Sequence, residues 1–241
     1  MRKSEYVHLV NDYLIPQHKY YHSRLSPSAE AEIRIMLRSL KPFERPDMYA
    51  KIGNKVYAVE HFSFDASSEN RKGMEGIREE NLLERRLSTA VTAEEGVYDK
   101  GNYSVTIANL QKNFEKHFYD HYDKIGSYKD HLYKAGILYE ADELIVGFFA
   151  ENLYPPYYNK GNRYEGELYY SLTKQFADLL LRSPNVQFML FGSYVDGQLK
   201  LAYVDQEHLP PENLRIDIES PELSLSSINQ NEITWNCTLE E

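Results

Sequence analysis

The feature that most constrains how this chain can fold is a two-residue turn, Gly53-Asn54, between two segments that alternate apolar and polar side chains. Alternation of this kind is typical of strands, and a two-residue loop between two strands predicts a tight β-hairpin. The loop also sets the register, because the residues on either side of it must pair with each other. Counting along both strands from that pair places Asp47 directly opposite Glu60.

This pairing is unusual because it brings two carboxylates to the more apolar face of the second strand. The other residues on the face that carries Glu60 are Val56, Ala58, Phe62 and Phe64. Directly opposed side chains have Cβ atoms roughly 5 Å apart, and like charges at that separation destabilise a hairpin. Two carboxylates so close together either share a proton or bind a cation, and proteins hold Mg²⁺ with one or two carboxylates. The pairing therefore predicts a cation site formed by Asp47 and Glu60.

Two other interpretations of the hairpin stay open at this stage. In the first, the register is shifted by one residue, which moves every side chain of a strand to the other face. In the second, both acids pair with a basic side chain, either Lys51 on the same face as Asp47 or a nearby arginine. Either interpretation replaces the cation site with an ordinary structural arrangement.

The order of the predicted elements indicates an α/β fold, and 241 residues suffice for one large domain with its own core. The predicted elements are helices at 4–22 and 26–40, strands at 47–52 and 55–64, helices at 77–95 and 105–135, a strand at 141–152, a helix at 164–183, two strands joined at Asp196-Gly197, and a strand at 232–239. We interpret residues 1–204 as a single α/β domain in which residues 77–135 form a helical insertion. Residues 205–241 then form an acidic C-terminal extension.

A third acid, Glu30, lies on the helix predicted at 26–40. The apolar stripe of that helix consists of Ile33, Met36, Leu37 and Leu40. At 100° per residue, Glu30 lies about 60° from the centre of the stripe, whereas Glu32 lies about 100° away on the other side. We therefore predict that Glu30 points toward the sheet. An acid in the first turn of a helix also complements the helix dipole, and this alternative role stays open.

Taken together, these residues resemble the motif of the PD-(D/E)XK nuclease superfamily. The matching residues are Glu30, the Pro-Asp pair that ends at Asp47, and Glu60, and the resemblance covers residues 26–64 and 141–203. It implies a restriction-endonuclease-like mixed sheet flanked by helices, with Glu30, Asp47 and Glu60 as catalytic residues. It further implies that Asp47 and Glu60 bind Mg²⁺ or Mn²⁺, and that the chain is a metal-dependent nuclease acting on DNA or RNA.

The chain departs from the family at one position. The family carries a lysine two residues after the second acid, where this chain has Phe62. Lys51 lies about 13 Å along the strand from Asp47, and Lys72 follows in a polar loop; these are the two candidates for the missing lysine. His61 points to the opposite face by alternation and is not expected to act as a base. The alternative prediction is therefore a catalytically inactive binding or scaffold protein on the same fold.

Other candidate ligands are less specific. Glu151 ends a buried strand, where α/β proteins often place their sites, and it is either a further ligand or a strand-terminating surface residue. His18 with His22, and His117 with His121, have the i, i+4 spacing that binds Zn²⁺ from one helix face, but neither pair carries the glutamate of a HExxH motif. His121 also lies within the apolar stripe of its helix, which favours a packed histidine.

The charge and cysteine content of the chain bear on which partners and which compartment are expected. The net charge is −10, and residues 205–241 carry nine acids against one arginine. This balance does not favour non-specific nucleic-acid binding, so the lysines of the inserted helices would have to guide the strand. A single cysteine, Cys237, indicates a cytoplasmic protein without an internal disulfide. The predicted partners are DNA or RNA and, in a homodimer, a second copy of the chain; no membrane partner is expected.

Overall fold

The computed structural model describes residues 25–66, 106–152, 155–161, 163–195 and 198–225 of the chain. The helices predicted at 4–22 and 77–95 and the strand predicted at 232–239 lie outside the described residues.

The described residues form four α-helices and two β-sheets. The helices are α1 (Pro27–Ser39), α2 (Ile107–Tyr122), α3 (Ile125–Lys134) and α4 (Lys174–Leu181). The strands are β1 (Lys41–Pro42), β2 (Met48–Ile52), β3 (Lys55–Ser63), β4 (Glu143–Glu151), β5 (Tyr157–Lys160), β6 (Arg163–Glu167), β7 (Phe188–Val195), β8 (Gln198–Asp205) and β9 (Leu223–Leu225). Short 3₁₀ helices lie at Tyr170–Leu172 and Glu212–Leu214.

Side-chain caps begin three of the helices. The hydroxyl oxygens of Ser26, Thr106 and Thr173 each accept a hydrogen bond from a backbone N–H in the first turn of the helix that follows. These bonds satisfy donors that have no partner within the helix. Pro27 stands in the first turn of α1, where its missing N–H removes no helical hydrogen bond.

The larger sheet has six strands in the order β1-β2-β3-β4-β7-β8. Strands β3, β4 and β7 are parallel, while β1 to β3 and β7 to β8 pair antiparallel. The sheet is therefore mixed and has helices on both faces, which confirms the predicted α/β class. The smaller sheet has the order β6-β5-β9.

The hairpin register is the predicted one. Ile52 pairs with Lys55 across the turn, and Met48 pairs with Val59 at the far end. Gly53 has a φ of 61°, a left-handed conformation that glycine adopts at little cost. The hairpin therefore has no one-residue shift, and its side chains alternate as the sequence indicates.

The two faces of the larger sheet are covered by different helices. On one face, Met36 and Leu37 of α1 pack with Val59 of β3 in a core that also includes Met48 and Ala50. On the other face, helices α2, α3 and α4 pack over the remaining residues of β3, among them Val56, Ala58 and Phe62. Glu60 alternates with Ala58 and Phe62, so its side chain belongs to the face covered by α2 to α4.

The prediction of one helix over residues 164–183 is wrong in its first half. Residues 163–167 form strand β6, which pairs with β5, and the helix begins only at Lys174 after the cap of Thr173. Strand β5 in turn pairs with β9 of the acidic C-terminal segment. The strand forms because neighbouring chain supplies its backbone partners, a contact that helical periodicity within the segment cannot indicate.

The segment between β3 and β4 contains α2 and α3, which are separated at Asp123 and Lys124. The residues predicted as helical at 105–135 thus form two helices with a break just before Gly126. No helix within the described residues is long and apolar enough to cross a membrane.

Candidate functional site

Asp47 immediately precedes β2, and Glu60 lies within β3, one residue past the last hairpin pair of Met48 with Val59. The backbone N–H of Asp47 donates to Glu60 Oε2 at 3.1 Å. The backbone N–H of His61 donates to Asp47 Oδ2 at 3.0 Å. Each carboxylate thus accepts a hydrogen bond from the strand that carries the other, which holds the two acids on adjacent strands.

The Glu60 side chain is buried beneath the inserted helices. Glu60 is 8% exposed, and His121 of α2 places its Nδ1 atom 3.1 Å from Glu60 Oε1. The two atoms are close enough for an ion pair, but His121 Nδ1 is buried without an aligned hydrogen bond. A neutral imidazole with its lone pair toward the carboxylate would be repelled, so this contact requires a proton or another cation between the two groups.

Tyr128 of α3 completes the contacts of Glu60. Burial raises the pKa of Tyr128, and the charges of Glu60 and Asp47 together with a hydrogen bond to Glu60 raise it further. The phenol therefore stays protonated and serves as a donor beside the carboxylates. Its hydroxyl also lies 3.2 Å from the carbonyl oxygen of His121, which ties α3 to α2.

Phe62 occupies the position of the family's lysine and belongs to the core. The side chain is 5% exposed, and its ring stacks on His121 with centroids 5.6 Å apart and on His117 at 6.0 Å. It also meets the edges of Phe114 and Phe148. Helix α2 therefore covers the position where the family carries its lysine. His121, predicted to be a packed histidine, and His117 both lie against the Phe62 ring.

The structure does not bring Glu30 to the two hairpin acids. Glu30 Oε1 accepts hydrogen bonds from Arg34 at 3.1 and 2.6 Å, an i, i+4 pair along α1. Helix α1 packs on the face of the sheet opposite to Glu60. The Glu30 side chain thus lies along α1, where it forms an ion pair with Arg34.

Neither lysine candidate is placed beside the carboxylates. Lys51 Nζ binds Asp142 Oδ2 at 2.6 Å and the carbonyl oxygen of Ile137 at 3.0 Å, and it lies 4.5 Å from the centre of the Tyr139 ring. This bridge lowers the pKa of Asp142 and fastens β2 to the loop before β4. Lys72 lies outside the described residues.

A second polar cluster lies on the other face of β3. Glu151 is 5% exposed, and its Oε2 atom lies 3.3 Å from Ser63 Oγ and 3.4 Å from His61 Nε2. His61 also packs its ring against Phe149. The alternation of β3 thus separates His61 from Glu60, as predicted, and Glu151 is a buried residue rather than a surface residue that ends a strand.

Asp47 and Glu60 are the two hairpin carboxylates that could contribute ligands to a metal ion. No group of three or more His, Cys, Asp or Glu residues within the described ranges is arranged to hold a metal ion. Two carboxylates suffice for Mg²⁺, which keeps several water ligands. The Nδ1 atom of His121 is buried beside Glu60 without an aligned hydrogen bond. The sequence indicated His121 as a packed histidine, but it placed neither His121 nor Tyr128 beside the hairpin acids, because only the packing of α2 and α3 brings them there.

These features define an α/β protein in which Glu60, buried beneath α2 and α3, is hydrogen-bonded to the backbone of a half-buried Asp47. No protein-family model, curated protein or solved structure matches the chain.

Proposed function

We propose that the chain is a divalent-metal-dependent phosphodiesterase that acts on nucleic acid, with Asp47 and Glu60 as the metal ligands. One observation carries this proposal: Asp47 and Glu60 are linked by hydrogen bonds between the two arms of the hairpin, and Glu60 also lies 3.1 Å from a histidine nitrogen that has no aligned hydrogen bond. Such a concentration of acceptors favours a cation. The resemblance to the PD-(D/E)XK superfamily adds Mg²⁺ or Mn²⁺ as the ion and DNA or RNA as the substrate.

The roles of the protein groups follow from their contacts. A bound divalent ion would supply charge stabilisation for the phosphate and a more acidic water. Backbone N–H groups orient one oxygen of each carboxylate, which restricts the positions of Asp47 and Glu60. Tyr128 remains protonated beside Glu60, and its hydroxyl donates to the carbonyl oxygen of His121, which holds α3 against α2 at this point. Glu30 has no part in this proposal because it pairs with Arg34 on the opposite face.

The proposal is tested by incubating purified protein with single- and double-stranded DNA and RNA in MgCl₂ or MnCl₂. We expect cleavage that EDTA abolishes and that Asp47→Asn lowers by at least about 100-fold, since losing a ligand costs more than losing a group that only orients one. Asp130→Asn is the matched control, because Asp130 is exposed on α3. Cleavage that persists in Asp47→Asn would exclude the assigned site.

A second candidate function is that of a non-catalytic binding or scaffold protein on the same fold. It is favoured by Phe62, which fills the lysine position with a buried ring, and by the engagement of Glu60 with Tyr128 and His121. In that case a proton on His121 Nδ1 makes the contact with Glu60 favourable, and no metal ion is bound. The acidic pair then contributes nothing to a reaction.

Thermal unfolding with and without metal separates the two functions. A metal-binding site raises the melting temperature as the ion concentration increases, because the ion binds only the folded state. We expect Mn²⁺ or Mg²⁺ to raise the melting temperature of the wild type and to leave that of Glu60→Gln unchanged. If the ion has no effect, and Glu60→Gln melts higher than the wild type by relieving carboxylate repulsion, the non-catalytic function is correct.

A further inference from the structure

A groove lies on the α1 face of the larger sheet, away from the Asp47–Glu60 pair. It has a volume of about 470 Å³ and is bounded by α1 and by the edge of the sheet where β3, β4 and β7 begin and β8 ends. Clefts of this size hold small organic ligands. The position of the groove makes it independent of the proposed metal site.

The floor of the groove is a row of aromatic rings. The Phe188 ring stacks on Tyr203 with centroids 5.6 Å apart and meets Tyr57 edge-on at 6.5 Å. The row can form because Gly147 lies under Phe188: a Cβ atom there would stand 2.2 Å from the ring. Phe188 is 1% exposed, so the half-buried rings of Tyr57 and Tyr203 are the ones in this row that a ligand can reach. Aromatic rings attract organic cations.

Carboxylates stand at both ends of this floor. Glu32 and Glu143 lie near the hydroxyl of Tyr57, whose pKa is raised by burial and further by these two charges, while Lys55 opposes them. Glu207 lies near the hydroxyl of Tyr203 at the other end. Four acids line the groove against one lysine, so its potential is negative.

The acids at the two ends differ in whether other side chains of the protein already bind them. Asp205 binds the Nδ1 atom of His208 at 2.8 Å, so its charge is partly compensated. No hydrogen bond or ion pair among the described residues engages the side chains of Glu32, Glu143 or Glu207. These three carboxylates are therefore available to a ligand, two at one end and one at the other.

We propose that this groove binds a linear aliphatic polyamine. Gly147 pairs with Phe188 and Phe188 with Asp205, so Asp205 lies level with Gly147, four residues along the strands from Glu143. With two strand spacings across the sheet as well, the backbone positions of Glu143 and Asp205 are about 16 Å apart. A flexible chain with ammonium groups at both ends places a charge at each acidic end and its methylene groups over the rings. A compact single cation reaches one end only.

Isothermal titration with spermidine tests the proposal. We expect binding to the wild type with a Kd below about 1 mM. Glu143→Gln and Glu207→Gln are each expected to weaken it roughly fivefold or more, since each removes one ionic contact. Lys55→Gln is expected to tighten binding because it removes the opposing charge. All three residues lie at the surface or the rim, and circular dichroism checks that the variants stay folded.

Two controls make the outcome decisive. Glu140→Gln removes an exposed acid outside the groove and should leave spermidine affinity unchanged. The uncharged chain 1,8-octanediol should not bind, and putrescine, whose amines are closer together, should bind more weakly than spermidine. Absence of spermidine binding, or an equal loss of affinity in Glu140→Gln and Glu143→Gln, would overturn the proposal.

Discussion

Replacing Phe62 with lysine should lower the free energy of unfolding by at least about 3 kcal/mol, although the substitution recreates the sequence motif of the nuclease family. Phe62 is 5% exposed and contacts the rings of His117, His121, Phe114 and Phe148. The substitution removes these contacts and places an ammonium group among apolar rings. Urea denaturation followed by circular dichroism measures the loss.

The hydrophobic control is Phe62→Leu. This variant keeps an apolar side chain at position 62. Its loss of stability should be smaller than that of Phe62→Lys by about 1–2 kcal/mol, because leucine places no charge among the rings. The comparison bears on function as well as stability. A Phe62→Lys protein as stable as the wild type would mean that the helical insertion opens readily, and the lysine position would then be accessible to a substrate.

Replacing Gly147 with alanine is expected to cost about 2–3 kcal/mol. The added Cβ atom would stand 2.2 to 2.4 Å from three atoms of the Phe188 ring, which is far inside van der Waals contact. Phe188 is 1% exposed, so its ring has no open space into which to move. Either the ring leaves its preferred rotamer or strands β4 and β7 shift apart. Thermal and urea unfolding both report the loss.

Two further variants identify the cause of the Gly147 effect. Phe188→Leu makes the side chain at position 188 smaller. In that background Gly147→Ala should lower the free energy of unfolding by less than it does in the wild type, and a double-mutant cycle measures this coupling. Gly126→Ala is the matched control, since a Cβ atom there meets nothing within 4 Å. It should be neutral or stabilising, because alanine favours a helix more than glycine does. Equal destabilisation at Gly126 and Gly147 would contradict the steric explanation.

The local chemistry of the hairpin could be read without any structure. A two-residue loop fixes a single register for two strands whose apolar and polar side chains alternate. The observed pair of Ile52 with Lys55 belongs to that register. The opposition of Asp47 and Glu60 follows from it, as does the separation of His61 onto the other face. These features depend on residues a few positions apart, so local geometry determines them.

The alternation of helices and strands similarly predicted an α/β fold with a mixed sheet. The likeness of that sheet to restriction endonucleases, the boundaries of the domain and the nuclease activity stay predictions. The helix predicted at 164–183 shows where pattern reasoning fails. The apolar stripe that predicted this helix begins only at Leu168, and residues 163–167 form a strand because β5 lies beside them.

What only the tertiary structure decided is which helix covers which face of the sheet. The apolar stripe of α1 indicates that it packs on a sheet, but both faces of β3 carry apolar residues, so the stripe cannot choose between them. The structure places α1 opposite Glu60 and thereby pairs Glu30 with Arg34. It places α2 and α3 over Glu60 and so brings His121 and Tyr128 to the carboxylates. Such contacts join residues 60 or more positions apart, and their choice depends on the packing of the whole core rather than on any local pattern.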